Sequence, residues 1–317
     1  MISIYLKINF YNPSVTKYNM LTIFGTIALD TTRTSYRKVN RIMGGAATYA
    51  SLSSSKYTST NIIGIIGSDF PSQYKDILDK HVNTKGVIVK DNEKTFHYDS
   101  SFDATLTVRT ANKTELNVIE NFEPFVPEEF IDSKFIFLAN NDPVQNKKMQ
   151  GLFSNPDFVV CDTIEYWINN KYNQVIDMIK AVNGIIIDSQ EARLLTGEYN
   201  LLKCAKKIKE LGPELIIIKK GENGSMLFYH DMISVCPAIP IENVVDPTGA
   251  GDCYAGGFLG YLSKKGKINA RTIREAAIYG NIMGSFAIED FGPDKIINIS
   301  SLDIEKRLNL YKKLLTL

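Results

Sequence analysis

Long apolar runs are missing from this 317-residue chain. None reaches the roughly 18 to 20 consecutive apolar residues that a bilayer-crossing helix needs. A dominant charge is missing too: 36 Lys and Arg stand against 35 Asp and Glu. No basic field gathers nucleic acid or anionic lipid, and no acidic tail points to a basic partner. Cysteine is scarce. Cys161, Cys204, Cys236 and Cys253 lie far apart without CxxC spacing, which argues against a zinc site and a disulfide framework and fits a reducing cytoplasm. His81, His97 and His230 have no metal-ligand spacing and no GxSxG elbow is present. No GxGxxG follows the first expected strand, which disfavours a dinucleotide-dependent oxidoreductase. Internal repeats and low-complexity tracts are absent.

The first nineteen residues hold a short apolar stretch broken by Lys7, then Tyr11-Asn12-Pro13-Ser14, without a basic leader or a small-residue cleavage site. They read as an extension, not a signal peptide. The first convincing strand starts after Met20, so residues 1–19 are expected to be dispensable, with translation able to begin at Met20, and residues 20–317 to form the folded domain.

What is present is alternation. Apolar runs at Leu21–Gly25, Asn61–Gly67, Phe135–Ala139, Phe158–Asp162, Ile185–Asp188 and Leu215–Lys219 are separated by helix-like segments. That pattern predicts an α/β fold with a mainly parallel sheet buried on both faces. Ligands bind at the carboxyl ends of such strands, where Asp162 and Asp188 stand. Two stretches, about 31–43 and 95–120, alternate polar with apolar residues, as in Thr105-Leu106-Thr107-Val108-Arg109-Thr110. They predict strands with one wet face: a small antiparallel sheet serving as a lid or dimer surface, or a pair of surface hairpins. Beyond Asp246 the spacing predicts helices over 251–265, 270–289 and 302–315.

The strongest signal is Asp246-Pro247-Thr248-Gly249-Ala250-Gly251-Asp252, running into a helix that begins Cys253-Tyr254-Ala255-Gly256-Gly257. Gly249, Ala250 and Gly251 have little or no side chain, so their N–H groups can converge on an anion at a helix N-terminus, where the dipole also favours negative charge. Pre-aimed donors of this kind stabilise the charge that spreads over a migrating phosphoryl group. Asp252, beside the loop, is placed to take a proton from an attacking hydroxyl. Taken alone, the string also reads as a tight turn with a capping aspartate.

The seven-residue string resembles the carboxy-terminal signature of the ribokinase-like, or PfkB, family of carbohydrate and nucleoside kinases. The resemblance extends from about Leu21 to the C-terminal helix. It implies a three-layer αβα core with a small β lid, and an ATP- and Mg²⁺-dependent transferase that phosphorylates a hydroxymethyl-type alcohol on a sugar-like acceptor. A nucleoside kinase of the same family is the alternative, and a non-catalytic nucleotide- or metabolite-binding protein a second. Gly44-Gly45 resembles the family's amino-terminal glycine pair at the acceptor, and Asp30 takes the place of the aspartate that binds acceptor hydroxyls; Asp30 also reads as a turn residue. Asp188-Ser189-Gln190-Glu191 resembles the Asn-x-x-Glu element that arranges water and Mg²⁺, with Asp for Asn. It reads equally as a helix-capping box. Lys219, Gly221 and Gly224 resemble the strand-to-turn segment beside ATP, or a turn between two strands. Thr248 and Asn281 complete the implied nucleotide site, although a helical Asn is commonly exposed or locally bonded.

The resemblance thins at the acceptor. Where many members place an Asn after the glycine pair, this chain has Tyr49. Asp162-Thr163-Ile164-Glu165-Tyr166-Trp167 resembles a strand-end segment that some sugar kinases follow with an arginine, and none follows here. Trp167 and Tyr166 either stack on a ligand or close the sheet end, and Asn140-Asn141-Asp142 reads as a polar turn. On the lid, His97, Tyr98, Asp103, Thr105, Thr107 and Arg109 are candidates to reach the acceptor, with Arg109 suited to an acidic group. Family members dimerise through the lid, so the resemblance implies a homodimer as well.

Overall fold

The computed structural model describes residues 20–315; the expectations for residues 1–19 lie outside them. The strands are β1 (Leu21–Phe24), β2 (Ala28–Arg33), β3 (Lys38–Gly44), β4 (Thr60–Gly67), β5 (Asn83–Lys90), β6 (His97–Phe102), β7 (Arg109–Glu115), β8 (Phe135–Leu138), β9 (Phe158–Cys161), β10 (Gly184–Asp188), β11 (Leu215–Lys219), β12 (Ser225–Tyr229) and β13 (Met232–Cys236). Nine form one sheet in the order β13-β12-β11-β10-β9-β8-β1-β4-β5. It is parallel from β5 to β11, and β12 and β13 extend it antiparallel.

Successive side chains of a strand point to opposite faces, so each apolar run feeds two cores. Ile23, Phe137, Ile186 and Ile217 pack on one face with Tyr49, Phe258 and Met283. Phe24, Leu138, Ile187 and Ile218 pack on the other with Val175, Leu195 and Ile208. This is the expected αβα sandwich, with all six expected strands in it. The sequence reading missed β5, which is half exposed at one sheet edge and carries Lys and Asn. It also missed β13, which pairs with the strand after the Gly221–Gly224 turn and leaves Ile233 and Val235 exposed. The late helices run Ala250–Lys265, Ala270–Ala287 and Ser301–Leu315, with a short one at Asp294–Asn298 between the last two.

The lid is a four-stranded sheet in the order β3-β2-β6-β7. Each of its hairpins is antiparallel, whereas β2 and β6 meet in parallel. Two hairpins from distant parts of the chain are laid side by side, so the direction of the central pairing is set by how each enters the lid.

Candidate active site

Asp30 lies on β2, where the chain passes from the main sheet into the lid. Its Oδ2 accepts a hydrogen bond from the Gly45 N–H at 3.2 Å. A Cβ on Gly44 would fall 2.0 Å from that oxygen, so glycine there lets the carboxylate lie against the backbone. Gly45, at φ 95°, then turns the chain into the Ala46–Ser54 helix. Burial pushes Asp30 up to about 7; Asp252 and Asp246 add to this, against the Gly45 bond and the Arg109 charge.

Asp246 Oδ1 accepts from the Thr248 N–H at 2.9 Å, closing a turn before the helix. Gly249 follows in the left-handed region at φ 77°, and Asp252 sits in the first turn of the Ala250–Lys265 helix. The Asp252 carboxylate is partly open to solvent and has no hydrogen-bond partner among the described residues. Burial, and then Asp162, push it up to about 7, while Lys219 and Arg109 pull it down. A carboxylate so poised is half-ionised near neutrality and suited to take a proton.

The three expected amide donors are not equivalent. The Ala250 N–H donates to the Pro247 carbonyl at 3.2 Å, because the turn that starts the helix uses it. The Gly249 and Gly251 N–H groups have no partner among the described residues. Lys219, at the carboxyl end of β11, brings Nζ beside them: a Cβ on Gly251 would meet it at 2.9 Å. Nζ also stands 3.6 Å from Asp162 Oδ2. Desolvation disfavours the ammonium, but Asp162, Glu191, Asp252 and Asp188 together hold it firmly protonated.

Asp188 and Glu191 realise the capping box. Asp188 Oδ1 accepts from the Gln190 and Glu191 N–H groups at 2.7 and 2.9 Å, and Glu191 Oε2 accepts from the Asp188 N–H at 2.9 Å. Burial raises Glu191 well above the usual range, with Asp188 and Asp162 adding to it. Among the described residues no group of three or more His, Cys, Asp or Glu is arranged to hold a metal ion.

Several expected site residues are engaged elsewhere. Asn281 Nδ2 donates to the Pro237 carbonyl at 2.9 Å and to Cys236 Sγ at 3.1 Å, with Tyr311 Oη at 3.4 Å. Its amide group therefore ties the Ala270–Ala287 helix to the end of β13. Gly221 and Gly224 bound a tight turn between β11 and β12, at φ 56° and 77°. Thr248 Oγ1 meets Thr32 Oγ1 of the lid at 3.4 Å. Trp167 is buried and donates to Asn140 Oδ1 at 2.9 Å, closing the sheet end. Tyr49 is also buried, its ring beneath Gly249, so neither aromatic offers an open stacking face. Asp142 caps the Pro143–Gln150 helix. Asp103, Thr105 and Thr107 bond one another at the exposed tip of the β6–β7 hairpin. His97 is held by Glu115 at 2.8 Å and by Thr31 at 3.1 Å.

Arg109 and Tyr98 remain on the lid, the guanidinium 5.5 Å from the ring centroid. Arg109 is exposed on β7, and its charge bears on Glu191, Asp252 and Asp188, and also on Asp30 and Asp246. Asp162 was legible only as a strand end; its pairing with Lys219 is the contact that sequence reading missed. A groove of about 430 Å³ between Phe286, Lys295, Arg307 and Leu310 lies away from these residues and lacks their chemistry.

Residues 19–298 match the model of the pfkB family of carbohydrate kinases. The chain belongs to that family. A cytidine kinase of Thermococcus kodakarensis is 27% identical over 256 residues, which cover 77% of this chain and 88% of that one. The crystal structure of a Methanocaldococcus jannaschii nucleoside kinase, described as an archaeal member of the ribokinase family, superposes with a TM-score of 0.74 at 20% identity, covering 92% of this chain and 98% of that one. A Burkholderia thailandensis nucleoside kinase solved with inosine gives 0.73 at 18% identity, covering 91% and 97%. At these identities the solved structures establish a shared fold. The PfkB match ends at residue 298, and the Ser301–Leu315 helix beyond it docks through Tyr311, whose hydroxyl donates to the Pro237 carbonyl at 2.8 Å. No helix among the described residues is long and apolar enough to cross a membrane.

Proposed function

We propose that this PfkB kinase transfers the γ-phosphoryl group of ATP to a primary alcohol on a sugar moiety. The observation that carries the reading is the Asp252 carboxylate, free of hydrogen bonds and poised near neutrality, beside the Gly249 and Gly251 amides and the Lys219 ammonium. Asp30 orients the acceptor by accepting from its hydroxyls. Asp252 takes the proton of the attacking hydroxyl, and the two amides with Lys219 hold the charge that develops on the transferred group. Arg109, on the lid, adds positive charge as the lid closes.

The residues fit a Mg²⁺ ion that arrives with the nucleotide. Asp188 and Glu191 have spent one oxygen each on the capping box, leaving a second oxygen on each that would hold the ion through water, as Mg²⁺ keeps several waters and rarely enters an all-protein cage. When bound, the ion neutralises phosphate charge.

For the acceptor, the cytidine kinase relative favours a nucleoside over a free sugar. Tyr98 on the lid remains as an aromatic wall for a base, while Tyr49 and Trp167 are buried. Two copies pair through the outer face of the lid, where β7 and the Lys38–Arg41 stretch of β3 are largely exposed. The reading places the enzyme in the cytoplasm with its ATP.

A coupled assay for ADP release, run with MgATP against nucleosides, pentoses, hexoses and inositols, tests the reading. Turnover is expected with a nucleoside. Turnover with free sugars alone would move the acceptor class, and an acceptor-independent flat response across the panel would remove the kinase reading. Size measurement in solution checks the pairing, with disruption expected from charge reversal on β7.

A further inference from the structure

The mechanism above leaves one buried cluster unused. Tyr49 is 1% exposed, and a Cβ on Gly249 would fall 2.5 Å from its ring carbons, so the turn carrying the amide donors rests on that ring. The Tyr49 hydroxyl is buried without a partner. Asp30 Oδ1 and Asp246 Oδ2 are buried without partners as well. The charges facing the phenol are those of Asp30, Asp246, Cys253 and Asp252, in that order of influence; those facing Asp30 are Asp252, Asp246 and Arg109.

An orphaned buried polar group is expensive, and native proteins satisfy such groups with a partner or an ordered water. Three such orphans, on residues whose charges bear on one another, are as many partners as a buried water takes. The phenol keeps its proton, because burial and the surrounding carboxylates push its ionisation far up. It can therefore donate, whereas the two carboxylates only accept when ionised.

We propose that Tyr49 is a positioning residue: its ring props the Gly249 turn, and its hydroxyl, through one enclosed water, supplies the hydrogen-bond donor that Asp30 Oδ1 lacks, keeping the acceptor-binding carboxylate ionised. Only the kinetic arm of its test rests on the kinase reading.

Tyr49→Phe keeps the ring and removes the oxygen. In this variant the Asp30 carboxyl, followed by carbon-13 NMR and assigned with Asp30→Asn, is expected to titrate about half a pH unit or more above its wild-type value. The thermal midpoint should stay close to that of wild type, because the ring that props the Gly249 turn is kept. With the nucleoside that proves active, kcat/KM at pH 7 should fall about tenfold and recover as pH rises. An Asp30 titration that matches wild type overturns the proposal, whatever the kinase assay gives. A drop in thermal midpoint with an unshifted titration assigns Tyr49 to packing alone and overturns it equally.

Discussion

The charge of Asp252, in the first turn of the Ala250–Lys265 helix, bears on Asp30, on the strand entering the lid, and pushes its carboxyl further up. Residues more than two hundred positions apart thus bear on one another, and both carboxyls are pushed up to about 7. Burial is the largest cause for each, so both carboxyls exchange protons near neutrality.

Removing the base should be costly. Asp252→Asn is expected to lower kcat by roughly 10² to 10⁴ while a non-hydrolysable nucleotide still binds, since Lys219 and the glycine amides are untouched. Steady-state kinetics together with calorimetric titration check this, and near-normal turnover would take Asp252 out of its role.

The pH profile follows from the same two groups. A base and an acceptor-binding carboxylate act when ionised, so kcat/KM should climb as pH rises through about 7 and level off above it. A profile already flat from pH 5 upward would contradict the raised values.

Stability should run the other way. A carboxyl whose folded value lies above its unfolded one binds the proton more tightly in the native state, so stability is present at low pH and lost as pH rises from about 4 to about 7. Asp30→Asn and Asp252→Asn should therefore melt roughly 2–4 °C above wild type at pH 8, with the gain gone near pH 4. Calorimetric melts at the two pH values decide it.

Lys219→Ala should weaken nucleotide binding tenfold or more and also lower the melting temperature. The loss of fold stability comes from Asp162, which is 4% exposed at its side chain and would be left buried without its cation. Restoring neutrality in Lys219→Ala/Asp162→Asn should recover the melting temperature and leave nucleotide binding weak.

Asn281→Ala distinguishes a structural amide from a nucleotide contact. Loss of the bonds to Pro237 and Cys236 is expected to cost about 1–3 kcal/mol in urea unfolding, with the KM for ATP within twofold of wild type. A large rise in that KM at unchanged stability would return Asn281 to the nucleotide site.

Much of the scaffold was legible before any coordinates. Apolar runs of β-branched residues have few alternatives to a doubly covered strand, and all six became strands. The turn Asp246–Asp252 was legible because its glycines and aspartates carry their geometry locally: Asp246 binds the N–H two residues on, and Gly249 adopts a positive φ. Side-chain engagement was less so. Asn281, Trp167 and Tyr49 have residue types that suit a ligand, and what occupies them comes from segments far away in the chain.

The sequence by itself determined the strands and the glycine turn, since each depends on residue spacing within a few positions. Only the tertiary structure decided that Ala250 spends its amide on Pro247, that Lys219 pairs with Asp162, and that the Tyr49 ring lies under Gly249. Those outcomes depend on distances between segments hundreds of residues apart, and on how much water each charge loses when the segments meet; neither quantity is written in local pattern.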